Sequence, residues 1–133
     1  MGFKRGIIQD QGLSRNMRAG DGSTWAPVLV VVATDAAYQV TPADLAAGAI
    51  QFTGFTAGRA LTVPLGTLIE AAFPEMDVGD SIAFKASVVP AFAGTWTAAA
   101  GVTIAGRTTL PASSSQDVLI RKTALNTYVW TAL

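Results

Sequence analysis

The sequence predicts an all-β protein: an antiparallel β-sandwich or jelly roll with one or two short helical turns and an extended N-terminal arm. Short apolar or alternating segments recur from residue 26 to the C-terminus, and Gly, Pro, Asn and Ser separate them as turn residues do. The candidate helices are too small to cover the faces of a parallel sheet. We therefore expect an arm over residues 1–25 and a β-sandwich domain over residues 26–133.

The arm differs in composition from the domain that follows it. Residues 1–20 hold four basic side chains and one acidic side chain, a balance of +3, whereas the remainder holds five basic and eight acidic ones, a balance of −3. Ordering this glycine-rich segment costs about 1–2 kcal/mol per residue, so we expect a neighbouring subunit to hold it. The residues expected to bind that subunit are Phe3, Lys4, Arg5, Ile7, Ile8, Leu13, Arg15, Arg18 and Trp25.

The strands are predicted from the period of their side chains. Residues 28–33 form an unbroken aliphatic run, which is typical of a strand buried on both faces. Residues 81–89 alternate in the manner of a strand with one face in the core. Further strands are expected at residues 38–40, 49–53, 59–63, 95–99, 102–104, 107–110, 116–121 and 127–132. The predicted core comprises Val30, Val32, Leu61, Val63, Ile82, Phe84, Val88, Val118, Ile120 and Trp130.

Two short helices are predicted from their end signals. Thr41 is an N-cap residue followed by proline and, three positions on, by Asp44, and Gly48 supplies the stop. The second helix is expected from Thr67, as its cap, to Phe73, because the next residue is proline.

Composition excludes most catalytic chemistry. The 133-residue chain has no cysteine and no histidine, so it has no thiolate nucleophile, imidazole ligand or Ser-His-Asp triad. Its nine basic and nine acidic residues cancel, which argues against nucleic-acid binding. The longest apolar run is far shorter than the roughly 20 residues that cross a membrane. We expect no enzymatic activity, no cofactor and no metal, and no nucleic-acid or membrane partner.

The surface is expected to be low in charge. Only 14% of the residues are charged, whereas about 25% is usual. A neutral surface promotes association between subunits. We therefore expect a homo-oligomer, either a dimer or a trimer, in which neighbours cover part of the domain.

One group of acidic residues deserves comparison with known sites. Glu70, Glu75, Asp77 and Asp80 could be interpreted as a calcium site or a glycosidase pair, but their spacing does not match a calcium-binding loop. Asp80 follows a turn glycine, where a short acid commonly accepts bonds from nearby backbone N–H groups. The structural interpretation is favoured.

The aromatic residues allow two further interpretations. Trp25, Trp96 and Trp130 could form a carbohydrate platform, although tryptophans are more often core or interface anchors. Residues 121–122 with Tyr128 and Trp130 could stack nucleic acid, but two basic residues make a poor groove. Packing roles are favoured for all of them.

Several stretches carry a resemblance to a known group of proteins. They are YQVTPADLAAGAI at residues 38–50, RALTVP at 59–64, LIEAAFPEMDVGDSIAF at 68–84, GVTIAG at 101–106 and VLIRKT at 118–123, before a closing aromatic strand. This pattern resembles small structural proteins of tailed bacteriophages and large viruses in which such a β-domain decorates or cements the capsid.

The resemblance implies a capsid cement (decoration) subunit. Such a subunit is made in the host cytoplasm, binds the outside of an icosahedral head and stabilises it by bridging copies of the major capsid protein. A tail-fibre or baseplate β-module, a carbohydrate-binding sandwich and a small enzyme are the alternatives. The arm matches nothing in the resemblance.

Overall fold

The computed structural model of the protein describes residues 27–133. This range forms ten strands and two short helices. None of the helices described is both long and apolar enough to cross a membrane. In chain order the elements are β1 (Val28–Val32), β2 (Tyr38–Gln39), α1 (Pro42–Ala47), β3 (Gly48–Phe52), β4 (Arg59–Thr62), α2 (Gly66–Ala72), β5 (Ser81–Val88), β6 (Gly94–Thr97), β7 (Val102–Gly106), β8 (Thr109–Leu110), β9 (Ser114–Ala124) and β10 (Thr127–Ala132).

These strands form two sheets, which confirms the predicted all-β class. One sheet has six strands in the order β1-β3-β5-β9-β10-β7, and the other has four in the order β2-β4-β6-β8. Buried side chains of both sheets form one hydrophobic cluster. At its centre Trp130 of the six-stranded sheet meets Trp96 of the four-stranded sheet, with ring centroids 5.0 Å apart.

The predicted antiparallel pairing is wrong for most strands. Five of the eight strand pairs are parallel, and only β5–β9, β9–β10 and β6–β8 are antiparallel. The path of the chain explains this. The first nine strands alternate between the two sheets. Through the sixth strand the chain enters each sheet in the same direction every time, so β1, β3 and β5 run parallel, as do β2, β4 and β6. Side-chain alternation identifies the buried face of a strand but does not reveal its direction.

Helix α1 begins and ends where the sequence predicts. The Thr41 hydroxyl accepts a hydrogen bond from the Asp44 backbone N–H at 3.2 Å, and the Asp44 carboxylate accepts one from the Thr41 N–H at 2.9 Å. This reciprocal capping box satisfies two backbone donors that the helix leaves free. Gly48 ends the helix in the left-handed conformation, with φ of 97°.

Helix α2 begins earlier than predicted. It spans Gly66–Ala72 and follows Leu65, so the prediction that Thr67 caps it is wrong. The Gly66 N–H instead donates to the Ala100 carbonyl at 2.9 Å, a contact between distant segments. The helix ends at Ala72, one residue before the predicted end, with Phe73 as its C-cap ahead of the proline.

Strand β1 is more exposed than its sequence predicts. Among the described residues it lies at the edge of the six-stranded sheet, with Val28, Leu29 and Val31 exposed to 64%, 51% and 56%, so the prediction of burial on both faces is wrong. Pro27 directly precedes the strand, and proline is typical of edge strands.

The predicted core is largely confirmed. Eight of its ten residues are buried, while Val30 and Ile82 are partly buried and pack against the core.

Candidate functional site

A polar cluster closes one end of the core beneath α2. The Lys122 ammonium donates to the Glu70 carboxylate at 2.7 Å and to the Met76 carbonyl at 3.0 Å. The other Glu70 oxygen accepts from the Asn126 backbone N–H at 3.0 Å and from the Tyr128 hydroxyl at 3.1 Å. The cluster therefore joins α2, the loop after it and the β9–β10 hairpin, and each oxygen of Glu70 is engaged by the protein itself.

The same contacts shift the titration of their members. The hydrogen bond from Lys122, with those from Asn126 and Tyr128, holds the pKa of Glu70 below its usual value. Burial, together with the bond to Glu70, raises the pKa of the Tyr128 phenol to about 12. A carboxylate held ionised and bonded on both oxygens suits a structural tie better than a proton-transfer group.

We expect stability to fall in alkali between pH 10 and 12. Burial and the Asp44 carboxylate raise the pKa of Tyr38 to about 12, as burial and Glu70 do for Tyr128. Both phenols ionise near pH 10 in the unfolded chain, so their contribution is complete below pH 10 and is lost as pH rises towards 12. Urea unfolding at a series of pH values measures this, and Tyr128→Phe should show a smaller loss than the native chain. Equal alkaline losses in the two proteins would contradict the assignment to Tyr128.

The tryptophans of the domain serve its core. Trp96 and Trp130 are 3% and 0% exposed, and the Trp96 indole N–H donates to Gln116 Oε1 at 2.7 Å. The interpretation of these two indoles as a carbohydrate platform is therefore wrong. The nucleic-acid interpretation fails in the same way, because Tyr128 and Lys122 point into the domain.

The acidic group is divided between the cluster and a turn. Glu70 belongs to the cluster, whereas Glu75, Asp77 and Asp80 are exposed in the loop between α2 and β5. Asp80 accepts from the Asp77 backbone N–H at 2.9 Å, which confirms its predicted turn role. Within residues 27–133 the acidic side chains nowhere assemble into a group of three or more that could hold a metal ion.

A second ion pair ties loops at the opposite end of the sheets. Asp35, after β1, accepts hydrogen bonds from Thr56 and from the Arg59 guanidinium, whose nearer nitrogen lies 2.7 Å away. The bonds from Thr56, then those from Arg59, lower the pKa of Asp35 to about 2. This contact joins the loop after β1 to the loop before β4 and is partly exposed.

The outer face of the six-stranded sheet carries few charged side chains in the described domain. We define this outer face by the side chains that alternate with the buried ones along its strands. Its charged members are Arg121 and the exposed pair Lys85–Asp117, whose charged atoms lie 2.9 Å apart. Its remaining members on β1, β3, β5 and β9 include Leu29, Val31, Ala49, Gln51, Ser81, Ala83, Ser87, Ser115 and Leu119.

A second apolar area surrounds the polar cluster. Leu65, Leu68, Val78 and Leu125 are 42%, 49%, 63% and 73% exposed. We call these four residues the hairpin-end patch. They lie on segments that meet, because the Asn126 N–H bonds to Glu70 of α2 and the Gly79 N–H bonds to the Lys122 carbonyl. Large exposed apolar side chains gathered at one place are typical of protein interfaces.

The predicted partner-binding residues of the arm lie outside the described residues. The structure therefore places none of Phe3, Lys4, Arg5, Ile7, Ile8, Leu13, Arg15, Arg18 and Trp25. The sequence analysis did not identify the exposed edge of β1 or the hairpin-end patch. Pro27 was a usable signal for the edge, whereas the patch depends on three distant segments and has no local signal.

Comparisons with protein-family models, with curated proteins and with solved structures find no match for this chain.

Proposed function

We propose that this protein is a non-enzymatic structural subunit of a virion, a capsid cement protein that binds the outside of an icosahedral phage head and bridges its capsid proteins. The observation that carries the proposal is a domain whose buried polar side chains are bonded to one another, while several large apolar side chains stay exposed on its surface. Lys122, Glu70 and Trp96 are occupied by partners within the domain. The hairpin-end patch presents apolar side chains, and most members of the outer face are neutral.

The mechanical requirements of a cement subunit match these features. Packaged DNA presses outward on a thin shell, so a subunit that spans two capsid proteins adds interface that must be lost before the shell opens. Symmetry repeats each contact around the shell, and many modest interfaces add together. A rigid two-sheet domain with neutral contact surfaces serves this purpose without a titratable active site, a cofactor or a nucleic-acid or membrane partner.

The arm supplies the sharpest test of the proposal. A version lacking residues 1–20 is expected to keep nearly the same thermal midpoint and to co-sediment with phage heads at least about tenfold more weakly. It loses the apolar area of side chains such as Phe3 and Ile7, at about 25 cal/mol per Å². It also loses the basic charges, whose share of the binding is sensitive to salt where exposed.

The outcomes separate the possible roles of the arm. Equal binding by the truncated and full-length chains would show that the domain itself carries the contact. Unfolding of the truncated chain would show that the arm belongs to the core. Binding to tails rather than to heads would favour the tail-fibre or baseplate alternative and contradict the cement role.

A further inference from the structure

The exposed acidic side chains without an ion pair gather at one place in the described part of the chain. They are Glu75, Asp77 and Asp80, in the loop between α2 and β5. The three ion pairs within residues 27–133 engage other carboxylates, and Arg121 on the neighbouring β9 forms an ion pair with none of these three. Negative charge without a basic partner therefore lies on this loop.

The hairpin-end patch lies beside this charge. Val78, a member of the patch, belongs to the same loop, and Leu125 is 73% exposed at the tip of the β9–β10 hairpin. The Gly79 N–H donates to the Lys122 carbonyl at 2.8 Å, which holds the loop against the hairpin. One surface thus combines large apolar side chains with carboxylates, and it fits a partner in which apolar and basic side chains stand together.

The chain itself contains such a segment near its start. Residues 3–8, FKRGII, have three large apolar side chains and two basic ones within six positions, and no acidic one. We infer that residues 3–8 dock on the hairpin-end patch of their own chain, with their apolar side chains against the patch and Lys4 and Arg5 beside the carboxylates of the loop.

The direction of β1 leads the arm towards this surface. Strands β1, β3 and β5 run parallel, and through three successive strand pairs Leu29 lies level with Asp117 of β9. The chain before β1 therefore leaves the sheet towards the end at which β5 begins. The tip of the β9–β10 hairpin lies at this same end, because β9 runs antiparallel to β5.

The length of the arm is sufficient for the contact. Leu125 lies eight positions beyond Asp117, about 26 Å along β9, and three strand spacings of about 4.8 Å separate β9 from β1, so the tip is about 30 Å from Leu29. The 11 positions from Arg18 to Leu29 span about 36 Å when fully extended, whereas the 21 positions from Ile8 span about 70 Å. The segment therefore reaches the patch with slack that the basic side chains nearer β1 do not have.

Tethering favours the chain's own arm over a separate partner. A segment linked to its binding surface has an effective concentration on the order of millimolar, far above that of another copy in dilute solution. The inference goes beyond the proposed function, because it concerns the free subunit. It places the arm before any shell protein receives it.

A spin label at the start of the arm tests the inference. The chain has no cysteine, so Gly2→Cys in the full-length protein carries a single nitroxide next to the segment. The amide signals of Val78 and Leu125 are expected to lose about half of their intensity or more relative to the reduced label, since tethering keeps the segment docked in most molecules. The signal of Phe92, in the loop after the other end of β5, should not change.

Two valines at the opposite ends of β5 provide matched variants. Val78 and Val89 are 63% and 54% exposed, so glutamate at either position should leave the fold and the thermal midpoint unchanged. Val78→Glu should remove the intensity loss at Leu125, because it puts a charge into the apolar contact, whereas Val89→Glu should retain it. The double variant Lys4→Glu/Arg5→Glu should weaken docking by about tenfold, as expected for two exposed ion pairs.

Several results would overturn the inference. They are unchanged signals of Val78 and Leu125 in the labelled chain, equal intensity losses in the two valine variants, and intensity loss confined to β1. A mixture of spin-labelled chain with unlabelled, isotope-enriched chain should show no loss, and a loss there would assign the segment to a second copy. Phage heads are absent from these measurements, so docking can fail while the cement role stands.

Discussion

Replacement of Phe84 by alanine is expected to lower the free energy of unfolding by about 3–5 kcal/mol. Phe84 lies at the centre of β5, is 3% exposed and meets the Trp130 ring edge-on, with centroids 5.9 Å apart. Removal of its ring leaves a cavity that two hydrogen-bonded sheets cannot easily close, because their backbones are held in register on both sides. Urea unfolding monitored by tryptophan fluorescence measures the change.

The same substitution at an exposed position provides the control. Phe92 is 41% exposed in the loop between β5 and β6, so Phe92→Ala should cost about 1 kcal/mol or less. A loss for Phe84→Ala no larger than that for Phe92→Ala would mean that β5 does not face the core as described.

Replacement of Gly66 by alanine is expected to destabilise the protein, against the helix propensities of the two residues. Alanine is favoured over glycine within a helix by about 1 kcal/mol. In the folded domain, however, a Cβ on Gly66 would lie 2.1 Å from the Asn126 carbonyl oxygen and 3.1 Å from the Gly101 Cα. Since these neighbours are backbone atoms, α2 or the hairpin must move, at a cost of about 1–3 kcal/mol or more.

A second glycine serves as the matched control for this prediction. A Cβ on Gly58 would have its nearest neighbour, the Ala93 carbonyl oxygen, at an ordinary 3.7 Å. Gly58→Ala should therefore be neutral or stabilising by about 0.4–1 kcal/mol, because it restricts the unfolded chain. Thermal unfolding of the two variants and of the native chain shows whether each substitution raises or lowers the stability. A Gly66→Ala variant as stable as Gly58→Ala would contradict the close contact of α2 with the hairpin.

The candidate surfaces were less predictable than the buried residues. Alternation along residues 81–89 indicates that Phe84 and Val88 face the core, and both are buried. The same local pattern does not indicate which strand lies at the edge of a sheet. An aliphatic sequence such as that of β1 is found both in strands with two neighbouring strands and in edge strands. The exposure of Leu29 and Val31 therefore emerged only from the order of the strands.

Lys122 illustrates a different limit of sequence analysis. By alternation it shares the inner face of β9 with Val118 and Ile120, yet a lysine is rarely buried without a partner. Its partner, Glu70, lies 52 positions earlier on α2. No local pattern links residues so far apart, so the ion pair was not predicted. For the same reason Glu70 was grouped with Glu75, Asp77 and Asp80, although the fold separates it from them.

The sequence by itself determined the all-β class, most of the core and the capping box of α1, because each depends on neighbouring residues or on the period of one strand. The tertiary structure decided the pairing directions, the start of α2, the exposed edge of β1 and the Lys122–Glu70 cluster. These features depend on contacts between segments distant in the chain. The chain alternates between the two sheets, and this path brings the distant segments into contact. The side-chain pattern of a single strand does not indicate which strand will lie beside it or in which direction that neighbour runs.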